Sequence, residues 1–243
     1  MKKFTHLAFS VIVIVVLVGT SFIILSGSGT PGDITGNRIP ASATSPHPVI
    51  LSGVPDVIQA EYYSCGASSF QAVMRYYDLT SFETTLRERL NTTAIHGTYP
   101  WDMVRVAREL GFQAEWKENL TLADLESSIR QGVPVIIDAQ RLITDPNLTW
   151  EDTWDTGHYM VVIGIDSINV YLEDPALLGS RLAVPRDEFL SLWHDYESPL
   201  PVPPDARKYY QLGVFIYGTP PGTRSEFVNM TEFSPMILPP GTG

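Results

Sequence analysis

A single cysteine, Cys65, stands in the stretch QAEYYSCGASSFQAVMRYY, residues 59–77 of a 243-residue chain. A thiol does nucleophilic chemistry when its surroundings favour the thiolate and a base handles its proton. Phe70, Val73, Met74 and Tyr77 follow the i, i+3, i+4, i+7 spacing of an amphipathic helix. The predicted helix therefore starts near Cys65, with Ser64 placed to cap it. The positive end of that helix favours a thiolate. Gly66 and Ala67 are small, so a substrate backbone could come close, and Gly66 is assigned to substrate binding. The alternative for Cys65 is a buried thiol that packs as a small hydrophobe.

Among the histidines, His158 is the candidate base. It opens the apolar run HYMVVIGI directly after Gly157, at a strand end from which a functional side chain can emerge. Gly157 is the second residue assigned to substrate binding. His6 lies in an apolar N-terminal segment, His47 in a tether, and His96 in a Gly/Thr loop. His194 is expected to end a helix, where a cation is favourable. Asp174 closes the next run, NVYLED, and a hairpin turning near Ser167 brings it to the same end of the pair as His158. A carboxylate there could fix the imidazole tautomer and support the imidazolium. It could equally initiate the turn before Pro175. The Gln59 amide could donate to an oxyanion beside the Cys65 N–H, or simply be a surface group. Trp150 and Trp154, just ahead of His158, either line a cleft or cap the sheet. Trp154 is taken as the substrate-binding candidate.

The elements that must carry these residues are legible as pattern. Helices are expected over about 81–90, from Pro100 to just before Gly111, and over 121–131. Pro100 suits a first helical turn, Thr121 and Asp124 spell a capping box, and Gly132 ends the last of these helices. Strands are expected at 134–139, 158–165, 169–174 and in QLGVFIYG. Residues 158–165 are apolar on both faces and so should be central. Helices first and an antiparallel sheet afterwards read as α+β.

The ends of the chain read differently. Lys2 and Lys3 precede an uncharged apolar run from Leu7 to Leu25. At roughly 1.5 Å per residue that run makes about 28 Å of helix, enough to span a bilayer. Residues 1–25 are therefore expected to be a transmembrane anchor, or a signal segment whose cleavage would leave the protein secreted. In either case the lysines stay in the cytoplasm and the remainder is outside. Residues 26–53 read as a Ser/Gly/Pro linker, 54–217 as the globular domain, and 218–243 as an irregular Pro/Gly-rich tail. Asn91, Asn119, Asn147 and Asn229 each open an N-x-[ST] sequon. They are expected glycosylation sites, although Asn and Thr also suit turns.

The net charge of −11 argues against a nucleic-acid partner, which would require clustered Lys and Arg. No H-E-x-x-H run and no Cys/His cluster points to a metal, and thiol chemistry calls for no cofactor.

In order and wording, VPDVIQAEYYSCGASS, GTYPWDMVRVARELGF, GHYMVVIGID, VYLEDPA and VPRDEFLSLW resemble the double-glycine leader peptidases. These are papain-like cysteine peptidases of bacteriocin-exporting transporters, with stand-alone relatives. The resemblance runs from about Val54 to Trp193. It implies a papain-like fold, with a helical half carrying the cysteine and a sheet half carrying His and Asp. It also implies Cys65 as nucleophile, His158 as general base and acid, Asp174 as orienter and Gln59 as oxyanion-hole donor, acting on a peptide or protein. Transporter-linked members carry membrane and ATPase domains that this chain lacks, so their leader-cleaving role does not carry over. The alternative is a papain-like module that binds peptides or cell-surface polymers without turnover.

Overall fold

The structure is a computed structural model that describes residues 49–177, 181–197, 205–219, 230–232 and 236–237. In chain order the elements are β1 (Val49–Ile50), α1 (Cys65–Tyr76), α2 (Glu83–Arg89), α3 (Pro100–Glu109), β2 (Gln113–Lys117), α4 (Leu122–Arg130), β3 (Val135–Gln140) and β4 (Leu142–Ile143). They continue with β5 (Gly157–Ile165), β6 (Asn169–Glu173), β7 (Arg181–Pro185), α5 (Arg186–Leu192), β8 (His194–Glu197), β9 (Arg207–Tyr210), β10 (Gly213–Tyr217), β11 (Met230–Glu232) and β12 (Met236–Ile237).

The main sheet has the order β11-β7-β6-β5-β3-β10-β2, with β1 pairing on β5. Its pairs are antiparallel apart from β11 with β7. β5 is central because it is apolar on both faces. Tyr159, Val161 and Ile163 pack with Phe70, Val73, Met74 and Met103 of α1 and α3. Met160, Val162 and Ile165 pack with Leu125 and Ile129 of α4 and Phe189 and Leu192 of α5. The α+β class with an antiparallel sheet is as expected. The helices are not all on one side, however: α4 and α5 cover the second face, because β3 and β5 bury both of theirs.

Local signals explain the ends of α3 and the start of α4. α3 starts on Pro100, and Gly111 follows it at φ 93°. In α4, Thr121 accepts from the Asp124 N–H while the Asp124 carboxylate accepts from the Thr121 N–H. Thr121→Ala removes one half of this reciprocal cap. It should cost about 1 kcal/mol, which is about 2–4 °C in Tm for a domain of this size, read by thermal unfolding.

Three expectations are corrected. Ser64 does not cap α1, because its hydroxyl is spent on a tight turn with the Glu61 backbone. His194 does not end a helix: α5 stops at Leu192, and His194 opens β8, paired with Tyr210. The ordered region also reaches beyond 54–217, since β1 adds to β5, β11 to β7 and β12 to β4. Among the described residues no helix is long and apolar enough to cross a membrane. The expected anchor at 1–25 and the Asn229 sequon lie outside the described residues. Asn91 and Asn119 both adopt left-handed backbone at element ends, which matches their turn chemistry.

Candidate active site

α1 is the central helix, with every residue except Arg75 buried, and it begins on Cys65. One turn on, the Ser69 hydroxyl donates to the Tyr159 carbonyl at 3.1 Å. That bond ties the cysteine-bearing turn to β5 one residue from His158. Cys65 is 8% exposed, so the thiol sits at the surface of the core with its sulfur near open space.

His158 and Asp174 come together as the hairpin pattern implies. Val161 pairs with Glu173 across β5 and β6, which brings the start of one strand beside the end of the other. His158 Nε2 lies 2.7 Å from Asp174 Oδ1. The imidazole also hydrogen-bonds Cys65. With Nε2 taken by Asp174, Nδ1 is the nitrogen left for the sulfur. Burial favours the neutral ring, but the charges of Cys65 and Asp174 and the hydrogen bonds to both outweigh it and push His158 up to about 10. Burial works equally against the Asp174 carboxylate. The His158 charge and hydrogen bond, the Arg141 charge and the Ala176 N–H nevertheless hold it well below the usual carboxylate range.

Two groups in this cluster were not legible from the sequence. Arg141 Nε donates to Asp174 Oδ2 at 3.0 Å. Nothing local in AQRLIT marks that arginine, because its partner lies 33 residues on. Glu173 is fully buried, its Oε1 accepts from the Val57 N–H at 3.1 Å, and burial pushes its carboxyl up to about 8. It pins the segment leading to Gln59 against β6.

Gln59 is held at the site by its backbone: its N–H donates to the Pro175 carbonyl at 2.7 Å, next to Asp174. Its amide Nε2 donates to the Glu61 carbonyl at 2.9 Å. Swapping the amide would set oxygen against oxygen there, so its orientation is fixed and the second N–H remains available.

The other substrate-binding candidates have different surroundings. Gly66 is small because a Cβ there would meet the Thr98 side chain at 2.7 Å, so it serves packing of α1 under the 94–100 loop. Gly157 lines the cavity beside Cys65, and a Cβ there would collide with the Asp195 carboxyl, which occupies the space a side chain would need. Trp154 packs at 4.3 Å from His194 and lies under Lys208 Nζ at 4.1 Å; it does not line the cavity beside Cys65 but packs against Tyr196, which does. Trp150 is buried and donates to Glu188.

That cavity has a volume of about 530 Å3, and Cys65 forms part of its wall. Opposite the cysteine lie β3 and β8, joined where Gln140 Nε2 donates to Asp195 Oδ1 at 3.0 Å. Asp138 and Asp195 face the cavity and hydrogen-bond each other. Burial drives both up, Asp138 to about 6 and Asp195 further. The Asp138 charge and hydrogen bond add to the rise of Asp195.

A cysteine at the start of a buried helix, set against an antiparallel sheet whose strand ends supply His and Asp, is the arrangement that thiol nucleophilic chemistry calls for. Comparison with known proteins bears on this directly. The sequence model of the Peptidase_C39 like family matches residues 51–199. The transport/processing ATP-binding protein ComA of Streptococcus pneumoniae is 29% identical over 136 residues, covering 56% of this chain and 17% of that protein. An uncharacterized protein of Methanothermobacter thermautotrophicus is 28% identical over 133 residues, covering 55% of this chain and 78% of its own. A crystal structure described as a C39-like peptidase from Bacillus anthracis aligns with 72% of this chain and 100% of its own, at 19% identity and a TM-score of 0.54, and shares the fold. The chain belongs to the Peptidase_C39 like family.

Proposed function

We propose that this protein is an extracytoplasmic cysteine peptidase, tethered through residues 1–25, that cuts peptide bonds with Cys65 as nucleophile. The observation that carries the reading is the hydrogen-bonded series Cys65–His158–Asp174 at the wall of an open cavity. His158, pushed up to about 10, is the imidazolium that faces the attacking sulfur in this reading. The thiolate attacks the scissile carbonyl carbon, a C–S bond forms, and the carbonyl electron pair moves to oxygen. The Cys65 N–H, at the positive end of α1, and the free N–H of Gln59 are the donors for that oxyanion. As the tetrahedral centre collapses, the C–N bond breaks and His158 passes its proton to the leaving amine. Neutral His158 then takes a proton from water, the hydroxide displaces sulfur, and the acid product leaves. Asp174 holds Nε2–H throughout, which keeps Nδ1 aimed at sulfur. The long apolar N-terminal run after two lysines and the sequons support the outside location.

The test is thiol labelling. An isolated cysteine, with an ordinary value near ~8.5, is almost all thiol at pH 6. Wild-type Cys65 should alkylate with iodoacetamide at pH 6 nearly as fast as at pH 8, because the imidazolium persists until the pH nears about 10. In His158→Ala the pH 6 rate should fall by about tenfold or more. A wild-type rate that tracks an ordinary thiol, matching the variant, would leave the non-catalytic binding module as the better reading. On cells making the full chain, a membrane-impermeant maleimide should also label Cys65. Labelling only after lysis would overturn the outside location.

A further inference from the structure

We propose that the cavity beside Cys65 is a subsite for a cationic side chain, lysine or arginine, of the peptide substrate. This rests on the peptidase reading and names the substrate class for it. The cavity wall carries four carboxyl groups, Asp138, Asp155, Asp195 and Glu197, and neither lysine nor arginine among the described residues lines it. Asp138 is 5% exposed and Asp195 9%, so the pair is committed to the interior of the wall. Burying carboxyl groups side by side is costly unless a cation answers them.

The basic residue in the wall is His96, an exposed side chain stacked on Tyr99, and the other cations nearby are engaged elsewhere. His158 is shared between Cys65 and Asp174. Lys208 lies over Trp154, and Arg207 pairs with Glu118. The pair is also built in rather than incidental. Asp195 fills the space beside Gly157, and Gln140 fixes its carboxyl from the neighbouring strand. Tyr196 and Tyr209 add aromatic surface to the same cavity, which suits an ammonium or guanidinium. A side chain that ends in a cation can lay its methylenes along these rings and set its charge against Asp138.

The experiment is cleavage-site sequencing. A proteome-derived peptide library, cut beforehand with a protease that spares Lys and Arg, is incubated with the full chain and with Cys65→Ser, and new ends are read by mass spectrometry. Lys and Arg together should be enriched about fivefold or more at one position relative to the cut. On a peptide of that sequence, the ratio of kcat/KM for Lys over isosteric norleucine should fall about tenfold in Asp138→Asn. Asp155→Asn, an exposed rim change that spares the core, should lower the same ratio by about threefold. Cys65-dependent cleavage without cationic preference, or a preference untouched by both variants, overturns the subsite and leaves the peptidase standing. No Cys65-dependent cleavage overturns both.

Discussion

Cys65→Ser should lower kcat/KM for peptide hydrolysis by about 10^4-fold or more while leaving the fold intact. The substitution exchanges one atom at the first turn of α1, where the side chain is 8% exposed and the helix below it is fully packed. Stability should therefore move little. Activity should collapse because the two groups reach the attacking form differently. In the wild type the imidazole that meets the sulfur is pushed up to about 10, so a proton is in place for the leaving amine. A serine hydroxyl is far less acidic and a weaker nucleophile, so its proton must be removed during the attack, in a site built around sulfur. Hydrolysis of a fluorogenic peptide drawn from the cleavage-site library, with circular dichroism as the fold control, checks this. Serine protein with wild-type turnover and an unchanged spectrum would remove Cys65 from the chemistry.

What the sequence discloses about this site follows from how local the signal is. Pro100, the Thr121–Asp124 pair and the apolar run of β5 each act within a few residues, so α3, α4 and the central strand can be read directly. The approach of His158 to Asp174 is only one hairpin away, so alternation plus a turn suffices. β8 was misread because Leu190, Trp193 and His194 continue the spacing of α5. The helix stops because Trp193 turns inward, where its Nε1 donates to the Leu212 carbonyl. That pairing partner lies 19 residues on and leaves no mark near His194. The acidic cavity is less legible still. Asp138 and Asp195 belong to strands far apart in the chain and meet directly, with Gln140 and the notch at Gly157 placing Asp195. At the Gly-His pair the missing Cβ makes room for the Asp195 carboxyl, while Gly157 itself stays in the cavity wall. Arg141 and Glu173 are hidden for the same reason: each acts on the site through a partner that only the folded sheet supplies.

Asp174→Asn should cost about 10^2-fold to 10^4-fold in kcat/KM and draw the alkaline limb of the activity profile toward neutral pH. Asp174 is 1% exposed and each oxygen is spoken for. Oδ1 accepts from His158 and, at 2.8 Å, from the Ala176 N–H, while Oδ2 accepts from Arg141. An asparagine has one acceptor oxygen. If it keeps Oδ1 toward His158, its amide hydrogens face the Arg141 guanidinium, donor against donor in a buried place. If it turns the other way, they face Nε2 and the Ala176 N–H, and the imidazole must give up the tautomer that aims Nδ1 at sulfur. Either outcome is unfavourable, and both remove the negative charge that helps raise His158. The sign follows from that loss. A lower His158 value means the imidazolium disappears at lower pH, so proton delivery to the leaving amine fails earlier on the alkaline side, while the acid limb moves less. Arg141→Ala separates charge from geometry. It leaves the His158–Asp174 bond in place and Asp174 ionised across the neutral and alkaline range, so its alkaline limb should not move toward neutral pH. A variant Asp174→Asn with activity within about threefold of wild type and an unmoved alkaline limb would show that Asp174 does not orient His158, and that Cys65 and His158 suffice as a pair.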